Sequence, residues 1–122
     1  MEWRAENEES IVAFVVPDTL IQSLLAIIQP TGIPLDPYQD SEVGCESVPA
    51  IAERLRQAVS NETENVVRAL EQELRVSKLP SWAIPLLDSR LSGNLSLQTW
   101  KGLLAACEHA MRHGKPVRIL GQ

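Results

Sequence analysis

Between residues 33 and 47 the chain reads IPLDPYQDSEVGCES, which holds Asp36, Asp40, Glu42 and Glu46 with Tyr38, and no Lys or Arg. Carboxylates at this density can bind a cation, share a proton or meet a basic protein surface. Calcium is a poor match. An EF-hand loop alternates its acids, turns on a central Gly and closes with a Glu at its twelfth position. Here the acids are spaced 4, 2 and 4 residues apart and Gly44 comes late. Glycoside hydrolysis sets two carboxylates across a sugar-sized cleft rich in aromatics, yet aromatic residues are only 4% of this chain. The plain alternative is a solvated connection, since loops are polar for many reasons. Recognition of a basic surface uses more of what is present. Pro34 and Pro37 lower the entropy lost on ordering, Tyr38 supplies an anchor, and Asp36, Asp40, Glu42 and Glu46 supply unbalanced charge.

The remaining reactive residues have structural explanations. His109 and His113 are four apart, a spacing that can hold a metal on one helix face. No Glu follows the first His in the HExxH manner and no third ligand is evident, while histidines in a last turn suit the negative end of the helix dipole. Cys107 falls on an apolar stripe and reads as a packed thiol. Cys45 is flanked by Glu42 and Glu46, which disfavour a thiolate nucleophile. Of the three Trp residues, Trp100 lies on an apolar stripe, Trp82 could plug the base of the fold, and Trp3 sits among charges as an exposed contact candidate.

Charge is strongly segregated. Residues 1–53 carry ten acids against one base, Arg4, and residues 54–122 carry six acids against ten bases, giving −9 and +4 within the total of −5. Acidic surface repels phosphate backbones, so nucleic acid is disfavoured as a partner and a basic protein is favoured. Hydrophobic residues are 44% and charged residues 22% of the chain, the balance of a folded globular domain rather than a disordered one. At 122 residues the chain has the length of a single domain, 1–122, with its own core. No apolar run approaches the roughly 18 residues of a membrane span. The acidic start MEWRAENEES is unlike a secretory signal, and two cysteines without a CxxC make no disulfide framework. The expected location is the cytoplasm with both thiols free. No cofactor motif is present.

These residues need elements to position them. IVAFVV, Ile11–Val16, closed by Pro17, reads as a buried strand. Asp18 then caps an unusually apolar helix through TLIQSLLAIIQ, which Pro30 and Gly32 end. Residues 31–46 read as a loop. Val48, Ile51, Ala52, Leu55 and Val59 form one helical stripe. Asn61 with Glu64 resembles a capping box and predicts a fresh helix over 62–76, with Glu71 and Arg75 as an i, i+4 pair; the alternative is a single helix across 48–76. Pro85 starts a short helix at about 85–91. Ser96 caps a last helix carrying Leu97, Trp100, Leu103, Leu104, Cys107, Ala110 and Met111 inward, with Gly114 at its left-handed end. VRIL, 117–120, is a terminal strand paired with Ile11–Val16. The expected fold is mainly α (α+β): about five helices in one bundle, with a short two-stranded sheet joining the N- and C-terminal segments.

The stretch IPLDPYQDSEV with the amphipathic helix after it, and the ending LLAACEHAMRHGKPVRILGQ, resemble small acidic bacterial proteins, of which some act as immunity proteins of polymorphic toxin systems. The resemblance implies a protein-binding inhibitor rather than an enzyme. Its partner would be a basic protein, such as a nuclease-type toxin domain, met by Asp36, Tyr38, Asp40, Glu42 and Glu46. The alternative is a homo-oligomeric structural or adaptor subunit, a homodimer for instance, which the very apolar 18–29 helix motivates. A small enzyme built around His109 and His113 is a third reading.

Overall fold

Alternation begins at the first residues. In Glu2–Glu6, EWRAE, Trp3 and Ala5 are buried while Glu2, Arg4 and Glu6 face outward, the period of two that makes a strand with one wet face. The computed structural model describes residues 1–121. This first strand, β1, is followed by β2 (Ile11–Val15), a short 3-10 turn and helix α1 (Ile21–Ile28). Strand β3 (Ser41–Val43), helix α2 (Val48–Leu74), helix α3 (Ile84–Ser92), helix α4 (Leu95–His113) and strand β4 (Val117–Leu120) complete the order.

The sheet has four strands in the order β2-β1-β4-β3, all antiparallel. The expected two-stranded sheet is therefore corrected. β1 lies between β2 and β4, so Ile11–Val15 and Val117–Leu120 are not neighbours. Trp3 is 0% exposed, not the surface contact expected of it, and its indole N–H donates to the Met1 Sδ at 3.2 Å. A tryptophan between charged residues is at home in a strand, because those charges point the other way. β2 is not a buried strand either. It is an edge whose Ile11, Ala13 and Val15 are exposed and whose Val12 and Phe14 pack inward.

Four helices stand where about five were expected, because 48–74 is unbroken. Thr63 donates its hydroxyl to the Val59 carbonyl at 2.8 Å, within the helix, and Asn61 caps nothing. Ser, Asn and Thr weaken a helix by well under ~1 kcal/mol each, and the stripe from Val48, Ile51, Ala52 and Leu55 on to Leu70 outweighs that. Glu71 and Arg75 do not pair, since Arg75 leaves the helix at φ 57°. Asn94, not Ser96, caps α4, accepting from the Leu97 N–H at 2.8 Å. Gly114 ends it at φ 62° as expected.

α4 lies against the inner face of the sheet, α2 packs along α4, and α1 packs on α2. The core joins Trp3, Val43, Val117 and Ile119 of the sheet to Leu103, Ala106, Cys107 and Ala110 of α4 and to Ile51 and Leu55 of α2. Phe14 lies across Gly102, where an added Cβ would fall 2.2 Å from the ring. Within the described residues no helix is long and apolar enough to cross a membrane.

Candidate functional site: an acidic loop on one edge of the sheet

The acidic stretch is only in part a loop. Residues 33–40 are irregular, β3 takes Ser41–Val43, and a turn at 44–47 leads into α2. Asp36 Oδ1 accepts the Tyr38 N–H at 2.8 Å, a local turn that holds the ring outward. Tyr38 is 76% exposed, the most exposed large hydrophobic residue described. Asp40 Oδ1 accepts the Gly121 N–H at 2.9 Å, so the C-terminal strand's exit fastens the loop. The approach is close: a Cβ on Gly121 would lie 2.4 Å from the Gln39 N and 2.6 Å from the Tyr38 carbonyl carbon. Glu42 is on the outer face of β3, opposite Arg118 in register. Glu46 folds back over Gly44, its carboxylate within 3.7 Å of the Cys45 Sγ.

Arg118 could have neutralised Glu42, but its guanidinium pairs with Glu6 at 3.3 Å. Arg4 pairs with Glu2 at 3.0 Å, and Arg56, Arg68 and Arg90 pair with Glu53, Glu64 and Glu73 on the helices. Among the described residues, Asp36, Asp40, Glu42 and Glu46 take part in no ion pair. All four are exposed. They do not converge, since no group of three or more His, Cys, Asp or Glu among the described residues could hold a metal. The charge is spread along an edge.

One acid was missed in the sequence. Asp18 does not cap α1; it is exposed, and with Met1, Ile21, Gln22, Pro37 and Tyr38 it lines a hollow of about 380 Å³ beside the loop. A second hollow of about 350 Å³ continues along Gln22, Leu25 and Leu35. Asp18 and Tyr38 are 20 positions apart, and no local pattern announces that they share a wall.

The other candidates resolve structurally. His109 is buried, with its Nε2 2.8 Å from the Ser10 Oγ, and its ring centroid is 4.7 Å from that of His113. Burial first, then His113 and Arg112, lower its pKa, so the ring is neutral near pH 7. Ser10 and His109 thus have the separation of a nucleophile and base. His109 Nδ1 is buried without a partner, and the N–H groups of Glu9 and Ser10 are held by Asn7 Oδ1 at 2.9 and 2.7 Å. Cys107 is buried, and that burial pushes its pKa up to about 12; Cys45 is exposed and free.

Trp82, expected to plug the fold, is 64% exposed. Ile84, Leu86 and Leu95 are exposed on the same segment. In the apolar 18–29 helix Leu24 and Ile28 are buried and Leu20, Ile21, Leu25 and Ile27 half-buried.

No family model, curated protein or solved structure matches this chain.

Proposed function

We propose that the protein is a binding inhibitor of the immunity or antitoxin type that covers a basic partner surface with the acidic edge at 33–46. One observation carries the reading: Asp36, Asp40, Glu42 and Glu46 are exposed and have no internal cation. Carboxylates left in water keep their full potential for a partner, and that potential speeds encounter with a cationic surface. Tyr38 adds an aromatic contact. The hollow between Tyr38 and Asp18, walled by Met1, Ile21 and Pro37, suits a long basic side chain, with apolar wall for its stem and a carboxylate for its head. The partner is a basic protein of the nuclease-type toxin class. Inhibition is by occlusion: substrate is kept from a cationic active site already occupied by carboxylates.

The test is titration of the protein against a cationic, nuclease-type toxin domain by calorimetry and stopped flow at low and high salt. Association should slow as salt rises. Asp40→Lys with Glu42→Lys should weaken the complex by more than ~1 kcal/mol, over fivefold in Kd. Glu42→Lys alone should weaken it in the same direction, which separates charge from the Asp40–Gly121 hydrogen bond. An affinity unchanged in both variants removes this edge from the interface.

A further inference from the structure

The other edge of the sheet is open and carries no charge. Two hydrogen bonds bracket the β1–β2 ladder: Val16 N–H to Met1 O at 2.8 Å, and Asn7 N–H to Ser10 O at 2.9 Å. Direction alternates along a strand, so Val12 and Phe14, like Ser10 and Val16, bond toward β1. The N–H and C=O groups of Ile11, Ala13 and Val15 therefore point to the free edge. The same three residues turn their side chains to solvent, with Ile11 61% and Val15 58% exposed. Edge strands are normally guarded by charge, proline, a bulge or shortness. IVAFV has none of the first two, and its register with β1 runs through five consecutive pairs without a bulge. Phe14, seated over Gly102, packs the strand against α4.

We propose that this edge is a dimer interface, with β2 pairing antiparallel to β2 of a second copy about a two-fold axis through Ala13. The stretch is self-complementary in that register. Ala13 meets Ala13, the smallest exposed side chain of the three at the axis, and Ile11 meets Val15 on either side. All three outward N–H and C=O pairs of both strands are then satisfied. A slip by two residues leaves one pair of each strand unmatched, and Pro17, which has no N–H, cannot extend the ladder. No charged side chain of β2 opposes its own copy, which is the condition an isologous contact must meet. The result is one eight-stranded antiparallel sheet, with β3 and its acidic loop at each end. Seven strand spacings place the two acidic edges roughly 33 Å apart. A five-residue strand pair is a small interface, so the dimer should form at micromolar rather than nanomolar concentration.

Sedimentation equilibrium of the whole chain from roughly 1 to 500 μM, with amide hydrogen exchange, tests this. The expected result is a monomer–dimer equilibrium in which the amides of Ile11, Ala13 and Val15 gain protection as concentration rises. Ala13→Lys sets two ammonium groups face to face at the axis. It should sediment as a monomer throughout, with unchanged far-UV circular dichroism and those three amides exchanging freely. A wild-type chain that is monomeric over the whole range with the three amides unprotected overturns the proposal, and so does an Ala13→Lys chain that still dimerises. Should that variant not fold, the concentration dependence of the three wild-type amides decides alone. Glu42→Lys, on the opposite edge, should leave sedimentation unchanged, so failure here is distinguishable from failure of the inhibitor reading.

Discussion

β2 presents five residues with no charge and two exposed β-branched side chains, whereas β3 presents three residues with Glu42 at their centre, preceded by Asp36 and Asp40. Both are edges of the same sheet, two strands apart. In the readings proposed above, the apolar edge takes another strand and the charged edge a basic surface. Their supports differ too. β2 is held from beneath by Phe14 on α4 and at its start by the Ser10–His109 contact, while the β3 side is held by the chain end through Asp40 and Gly121. A sheet of one fold thus carries two unlike edges, one apolar and one acidic, each with a separate tie to the core.

The largest expected effect removes the support common to both. Trp3 is fully buried on the strand next to β2 and β4, and Trp3→Ala should cost about 3–5 kcal/mol in urea unfolding. Amide protection should fall on both edges together. If only one edge responds, the two are not joined through β1 as the order of strands requires. Gly102→Ala comes next. Its methyl would collide with the Phe14 ring, and overpacking of this kind costs about 1–3 kcal/mol. The expected loss of protection is confined to β2, with Ser41–Val43 unaffected; equal loss on β3 would show that the Phe14 seat serves the whole sheet.

A smaller effect comes from pH. His109 titrates below its ordinary 6.5 in the folded chain because burial, His113 and Arg112 disfavour its charged form. The unfolded chain therefore binds more protons between the folded value and 6.5. Stability is fully present above that pH and falls as the solution is acidified through the window beneath it. The protonated ring carries an N–H on both nitrogens, and the buried Nδ1 has no acceptor. Amides of β2 should lose protection between pH 7.5 and about 5.5 while those of β3 do not. His109→Gln should flatten the difference, since carboxylate titration elsewhere is common to both chains. A wild-type profile as flat as that of His109→Gln would mean that the Ser10 contact does not couple the ring to the edge.

Much of this was readable along the chain. The Pro30–Gly32 stop, Pro85 in the first turn of α3, Gly114 at the end of α4 and the stripe Val48–Leu55 are local devices, and each stands where short-range rules put it. The exposure of Asp36, Asp40, Glu42 and Glu46 also followed from composition, because carboxylates without a nearby cation stay in water. β1 was missed because only Trp3 and Ala5 mark its inner face, and that face exists only once α4 covers it. The break expected at Asn61 was overridden by packing on α4, which rewards continuity over a distance that no capping pattern registers.

What short-range chemistry decides in this protein is where helices start and stop, which stretches are acidic and which stripes are apolar, since those depend on neighbours within a turn or two. Which strands meet, which of Trp3 and Trp82 is buried, that Arg118 turns to Glu6 rather than Glu42, and that Asp18 joins the wall at Tyr38 were settled by the packed chain. Those outcomes depend on contacts between residues far apart in order. Their energies arise when the sheet closes on α4 and water is excluded between them, and no window of the sequence contains both partners.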